Sequence, residues 1–388
     1  MKRVNLMVLN GIDCIEEYDN LFKGKRIGLI TSPSGINAKF DSTIHILHSR
    51  FQLAALFSPE HGVRGNIAAG ELVDTYIDPY TNVPVYSLYR KDSKRLTDEM
   101  LDCVDLVVYD IQDVGTRYFT FIYTMLYALE DCAKHGKEFV VLDRANPLNG
   151  VTVEGNILKD GFRSFVGAYP LCMRYGLTIG EFAKMANQQE NLHADLTVIP
   201  CKGWNRNWIF SDYNKVWVPP TMGIARFETA LLYPGTCLFE GTNISEGRGT
   251  TAPFELIGAP FIDAQLLANE MNAKKLAGVV FRPVYFIPTA SKFMGEQCGG
   301  VQIHVTDVRK VQSVSVGVEL LYEMRRLYGE QFGFLPPYQG STHCFAELLS
   351  GDSQIDNPSV SKEELLYQYQ KESKSFEQMK QEFHLYES

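Results

Sequence analysis

The chain lacks most of the features that narrow a function quickly. Its eight cysteines, Cys14, Cys103, Cys132, Cys172, Cys201, Cys237, Cys298 and Cys344, are scattered through 388 residues. None forms a CxxC pair or stands at a Cys/His spacing that suits zinc. A disulfide framework is therefore disfavoured, and buried reduced thiols are expected. No run of 18 apolar residues occurs, which excludes an obvious membrane-spanning helix. Basic residues are in deficit, 37 Lys and Arg against 46 Asp and Glu, for a formal net charge of −9. A surface of that sign repels polyanions, so nucleic acid is not an expected partner. Glycine frames for phosphate are missing as well. Gly247-Arg248-Gly249-Thr250 has no GxxxxGK[ST] frame, and the first apolar run leads into Ser32-Pro33-Ser34-Gly35 instead of GxGxxG. A dinucleotide is thus disfavoured, and no cofactor is expected. The N-terminus starts with Lys2 and Arg3, but Asn5 and Asn10 break the apolar stretch that a signal peptide needs. As written, the chain reads as cytoplasmic; with a leader already removed it would be periplasmic or secreted.

What is present is an ordinary globular composition, 45% apolar and 21% charged, in a chain long enough for two domains. Apolar runs of strand length fall at 25–31, 51–58, 105–113, 138–146 and 195–201. Helical patterns lie between them at 42–50, 119–136 and 178–189. Asp41 or Ser42 suits the N-cap of the first helix, and Gly136 suits the C-terminal stop of the second. Near-continuous apolar strands alternating with helices predict an α/β fold with a mostly parallel sheet covered on both faces. This first domain is expected over residues 1–205. All three tryptophans fall in the irregular stretch 201–220, which ends in Pro219-Pro220. A smaller α+β domain is expected over 221–388, with antiparallel strands at 282–293 and 299–307 and an amphipathic helix at 314–332. The polar tail, Ser361 to Ser388, reads as one or two solvated helices packed at the edge.

Polar residues gather where the strands end, and ligands of open parallel sheets sit outside those carboxyl ends. The second strand ends in Ser58-Pro59-Glu60-His61-Gly62, with Arg64 close behind. The third runs into Asp110, Gln112, Asp113 and Arg117, and the fourth into Asp143, Arg144 and Asn146, with Glu154 soon after. These three endings are expected to face one crevice. Structural roles compete at several positions: Asp113 as a helix cap, Asp143-Arg144 as an ion pair, His61 as a satisfied loop histidine. In the second half, Glu240, Thr242, Asn243, Glu246, Arg248 and Thr250 alternate with glycines. Glycine lets a backbone approach a ligand closely, and acids, an amide, hydroxyls and a guanidinium in such a frame suit a polyhydroxylated substrate.

The motifs SPEHGVRG, DIQDVGTRYFTF, LDRANPLNG with VEG, YPGTCLFEGTNISEGRGTTAPFELIGAP and CGGVQIHVTD follow one another in a single order. Together they closely resemble the NamZ (YbbC-type) family of exo-β-N-acetylmuramidases, from about residue 11 to about residue 334. Ser58 and Ala145 are the departures, and neither removes a functional group. The resemblance implies a Rossmann-like N-terminal domain, a smaller C-terminal domain, and a site in the cleft between them. It implies release of terminal, non-reducing N-acetylmuramic acid from peptidoglycan fragments, with muramic-acid-terminated saccharides as the partners. Glu60 carries over most directly as the catalyst. Glycoside hydrolysis uses an acid plus a second group, with carboxyl separations of roughly 5 Å or roughly 6.5–9.5 Å for retention or inversion. Glu60 is expected to be the general acid, tuned by His61. The second group is left among Glu154, Asp113, Glu240, Glu246 and the substrate's own acetamido group. The lactyl carboxylate calls for an arginine, Arg117, Arg144 or Arg248, with Arg64 behind them. Thr242, Asn243 and Thr250 would meet hydroxyls or the acetamido group, and Tyr118 and Phe119 would either stack on the sugar or pack into the core. No metal is required. A metal-dependent hydrolase built on Glu60, His61, Asp110, Asp113 and Asp143, and a non-catalytic glycan-binding protein, are the competing readings.

Overall fold

Runs rich in Val, Ile and Leu build a seven-stranded sheet from β1 (Arg26–Thr31), β2 (Gln52–Ser58), β3 (Tyr76–Ile77), β4 (Pro84–Ser87), β5 (Leu106–Asp110), β6 (Glu138–Leu142) and, later in the chain, Leu196–Ile199. Between these lies a short antiparallel pair, β7 (Glu154–Ile157) and β8 (Cys172–Arg174), which makes Leu196–Ile199 β9. The computed structural model describes residues 7–65, 75–91, 93–338 and 340–388. Lys2, Arg3 and Asn5 of the N-terminal reading lie outside the described residues.

The strand order is β3-β4-β2-β1-β5-β6-β9, parallel throughout except for β3 against β4. The order reverses between β1 and β5. Alternate residues of one strand serve opposite faces. Leu29, Leu56 and Val108 join one buried cluster, while Ile30, Phe57 and Tyr109 join another. Both faces are covered, which is why these strands read as unbroken apolar runs instead of alternating ones.

The helices begin and end on local chemistry. Ser42 accepts from the His45 amide at 3.1 Å, and Gly136 closes Phe121–His135 at φ 61°. Thr178 and Glu181 form a reciprocal capping box at the start of Ile179–Gln189. The strands β5 and β6 stop at Asp110 and Leu142, short of the expected 113 and 146. There the backbone leaves the sheet because Asp110, Asp113 and Asp143 turn to side-chain and loop partners.

The second half carries a three-stranded antiparallel sheet, β10 (Leu256–Ala259), β12 (Cys298–Val305) and β11 (Val279–Phe286) in that spatial order. Helices Phe227–Thr236 and Ser313–Tyr328 cross where Gly235 meets Gly317; a Cβ on either would strike the other helix's backbone. One buried cluster runs through both halves, from Tyr109 and Phe121 to Leu231, Phe239 and Leu320. The tail differs from expectation. Helix Lys362–Met379 buries Leu365, Tyr369 and Phe376, spaced four and seven residues apart on one face, and Tyr386 donates to Asp143. One face of the tail is therefore core and only the other is solvated. All eight cysteines are free, and all but Cys103 are buried. No described helix is long and apolar enough to cross a membrane.

Candidate active site

β2 delivers its polar ending through two consecutive turns. The Gly62 amide bonds the Pro59 carbonyl at 3.1 Å, and the Gly65 amide bonds the Gly62 carbonyl at 3.2 Å. The first turn holds His61 at φ 72°, a left-handed conformation that costs a non-glycine residue about 1–2 kcal/mol. Such a cost concentrates at positions where a side chain must be aimed. Here the strain presents Glu60 and His61 to a cleft of about 370 Å³.

Glu60 is held from two sides. Thr120 donates its hydroxyl to Glu60 Oε2 at 3.1 Å. Thr120 is the N-cap of helix Phe121–His135, yet its side chain caps nothing in that helix. The Tyr89 phenol also bonds Glu60, and its own pKa is raised, first by burial and then by the Glu60 charge. The Lys94 ammonium stands 3.3 Å from the Tyr89 ring centroid and donates to the Arg90 carbonyl at 2.8 Å. Burial lowers the Lys94 pKa, and the Glu60 charge acts in the opposite direction. The His61 ring meets Phe121 edge-on at 6.3 Å.

The facing wall comes from the second half, through Glu240, Arg248, Tyr233 and Phe254. Arg248 Nε bonds Glu240 Oε1 at 2.8 Å and lies 3.4 Å from Glu246, and the guanidinium rests over Phe254 at 5.0 Å. Lys292 closes the network, 2.9 Å from Glu246 and bonded to the Phe239 and Ile244 carbonyls. Burial raises the Glu240 pKa, with the Arg248 charge opposing it. Arg248 Nη1 has no hydrogen-bond partner among the described residues and lies toward Gly223, itself part of the cleft wall. Tyr118 and Phe119 line the cleft too, and the Tyr118 hydroxyl is spent on the Pro234 carbonyl.

The other strand-end groups do not share this cleft. Asp110 pairs with Arg144 Nε at 2.6 Å beneath the point where the strand order reverses, and both are buried. Gln112 and Arg144 instead border a separate cavity of about 140 Å³ with Ser34 and Lys215. Asn146 bonds the Leu177 carbonyl and the Leu148 amide. Arg64 forms a bidentate pair with buried Asp78. Glu154 pairs with Arg174 and accepts from the Val314 amide. Thr242, Asn243 and Thr250 hold their own loop: Thr242 to Phe239, Asn243 to Gln331 and Gly333, Thr250 to Gly247. Glu246 reaches the cleft only through Arg248. Arg117 is buried, with all four of its Nη hydrogen bonds on backbone carbonyls. The three strand endings thus divide between an open cleft and a buried network, because paired charges satisfy one another without a ligand. Glu60, His61, Asp110, Asp113 and Asp143 also do not converge on a common shell. Among the described residues, the metal-sized group is Cys344, Glu347 and Asp356, elsewhere in the fold.

Sequence reasoning passed over Tyr89, Thr120, Tyr233 and Phe254. Thr120 lies within the quoted DIQDVGTRYFTF motif, and its place there was the available signal. Tyr233 and Phe254 stood inside the quoted YPGTCLFEGTNISEGRGTTAPFELIGAP motif, whereas Tyr89 had no such signal.

Asp113 illustrates a buried acid with a measurable signature. Its Oδ2 accepts from Tyr175 and from the Gly115 amide, its Oδ1 has no partner, and burial pushes its pKa up to about 6. A folded-state pKa above the unfolded 3.8 means stability is fully present below about pH 4 and declines as pH rises toward 6. Asp113→Asn is therefore expected to gain about 1–3 kcal/mol on the parent chain between pH 4.5 and 7.5. Urea unfolding at the two pH values measures it, and an identical difference at both would refute it.

Two family models cover the chain: exo-β-N-acetylmuramidase NamZ, N-terminal, over residues 27–228, and exo-β-N-acetylmuramidase NamZ, C-terminal, over residues 231–386. A curated relative, the peptidoglycan β-N-acetylmuramidase NamZ of Bacillus subtilis (strain 168), is 46% identical over 385 residues, 98% of this chain and 91% of that protein. Two crystal structures of DUF1343 family proteins from Bacteroides fragilis NCTC 9343 are similar. One has a TM-score of 0.88 at 35% identity, covering 98% of this chain and 100% of its own; the other has 0.77 at 28%, covering 98% and 99%.

Proposed function

The chain belongs to the NamZ family of exo-β-N-acetylmuramidases, and from that premise we propose that Glu60 and Glu240 are the working carboxyls of its cleft. The protein is a glycoside hydrolase that releases terminal, non-reducing β-linked N-acetylmuramic acid from peptidoglycan fragments. The observation that carries the residue assignment is the pair of carboxyl groups lining one cleft from opposite halves of the fold.

Glu60 is the general acid. Thr120 engages one of its carboxyl oxygens, and Tyr89 and Lys94 stand beside it, so the carboxyl is oriented as proton delivery requires. Glu240 is the second group, acting on the opposite face of the sugar or steadying the charge that develops at C1. Arg248 holds it in position, and the Arg248 charge opposes the burial that raises its pKa. Asp113 and Glu154 have their carboxylates committed to buried partners, which counts against either in that role. Tyr233 and Phe254, with Phe119, supply apolar faces for the pyranose ring.

The test is release of free sugar from a chromogenic β-N-acetylmuramide compared with the matching β-N-acetylglucosaminide. Turnover of the muramide is expected, and turnover of neither would sink the reading. The lactyl group distinguishes the two sugars by one carboxylate, for which Arg248 Nη1 is the donor. Arg248→Lys keeps the charge but loses the planar fork. It is expected to cost about 10–100-fold in kcat/KM for the muramide, the worth of one charged hydrogen bond. The glucosaminide also depends on Glu240, which Arg248 positions, so its turnover is expected to fall as well but by clearly less than that of the muramide; equal losses on both sugars would remove the lactyl role.

A further inference from the structure

A second cavity of about 380 Å³ opens beside the catalytic cleft, and the two share His61 and Thr221. Its remaining walls are largely apolar: Pro33, Pro219, Pro220, Met222 and Ala225. Met222 is 71% exposed, a large apolar side chain left at the rim with nothing packed over it. We propose that this cavity is the leaving-group subsite, seating the 4-O-linked N-acetylamino sugar from which the muramyl residue is cut. The assignment rests on the hydrolase reading above and extends it to the other side of the scissile bond.

Position supplies the first argument. A general acid must stand beside the bridging oxygen, between the two sugars. The cavity reached past His61, the residue next to Glu60, therefore lies on the leaving-group side if the catalytic cleft holds the muramyl ring. In the reaction the Glu60 proton moves to the bridging oxygen. The C1–O bond breaks with its electron pair remaining on that oxygen. Water supplies the hydroxyl at C1 and its other proton returns to the carboxylate pair.

Chemistry supplies the second. Pyranose rings present C–H faces that pack on apolar walls, while their hydroxyls stay with water or with a few polar groups at one end. Here the polar groups, His61 and Thr221, lie at the junction with the catalytic cleft, where the bridging oxygen would be. Shape supplies the third. Gly65, at φ 71°, approaches Pro33 so closely that a Cβ would come within 2.5 Å of its ring. Proline rings fixed in this way form a wall that needs no ordering when a sugar arrives.

Ala225→Trp tests the assignment, because Ala225 is exposed and a bulky ring there fills the cavity without disturbing the core. Two substrates separate the subsites: the disaccharide N-acetylmuramyl-β-1,4-N-acetylglucosamine, and β-N-acetylmuramyl fluoride, whose leaving group is a single atom. The variant is expected to lose about tenfold or more in kcat/KM on the disaccharide while fluoride release stays within about twofold. Met222→Ala is expected to show the same selectivity with a smaller loss. Undiminished disaccharide turnover in Ala225→Trp overturns the proposal. So do equal losses on both substrates, which would place the effect on the muramyl side or on folding. A parent chain inactive on both substrates instead refutes the hydrolase reading, and the subsite with it.

Discussion

Glu60→Gln is expected to lower kcat on the muramyl disaccharide by about 10²–10⁴-fold, the range that a positioned general acid contributes. The substitution is nearly isosteric, and Thr120 and Tyr89 can still hydrogen-bond the amide, so binding should survive with KM little changed. The magnitude should depend on the leaving group. An amino-sugar alkoxide is a poor leaving group and needs the proton; fluoride or a dinitrophenolate departs with little help. The loss on those activated substrates is expected to shrink to about tenfold or less for the bond-breaking step. Steady-state rates across a leaving-group series check this. A loss of the same size on every substrate would instead make Glu60 the group that acts at C1, and would move the acid role to Glu240.

Arg117→Met is expected to have the largest effect on folding. The guanidinium joins three segments: its Nη1 bonds the Asn156 and Leu171 carbonyls, and its Nη2 bonds Leu349 and Ser350. The last two are carbonyls at the end of helix Phe345–Ser350, which no later turn of that helix can satisfy. Gly351 turns away there at φ 76°, with no room for a Cβ beside Nη2. Methionine fills most of the volume but donates nothing, so four buried carbonyls lose this donor, although the Leu171 carbonyl still accepts from the Leu158 amide at 3.2 Å. Even one buried group left unpaired costs about 1–3 kcal/mol. A total loss of about 3–5 kcal/mol is expected after relaxation, with Arg117→Lys recovering only part of it. Chemical denaturation of the three chains measures the difference. A Met variant within about 1 kcal/mol of the parent would show that water reaches those carbonyls.

The same arginine marks the limit of what could be read before folding. Arg117 sits in a motif rich in chemical side chains, and its residue type suits a carboxylate ligand. Its acceptors lie up to 233 positions away, so its engagement could not be read from its neighbours. Arg144 is similar, since Asp110, its partner, comes from an adjacent strand. Glu60 was legible for the opposite reason. Its placement depends on a strand end, a proline and a glycine within three residues, all local.

The alternation of the central strands with helices, the Ser42 cap and the Gly136 stop, the irregular tryptophan-bearing connection, and the turn that lifts Glu60 and His61 off β2 are written in the sequence. Each of these follows from backbone propensity, side-chain period and short-range hydrogen bonding, which act over a few residues. Only the tertiary structure decided which polar strand ends open to a cleft and which neutralise one another in the interior. It alone brought Glu240 and Arg248 into the cleft that Glu60 lines, supplied Thr120 and Tyr89 as partners of Glu60, and turned one face of the tail into core. Burial and ion pairing are properties of neighbours in space, and here most of those neighbours are distant in the chain.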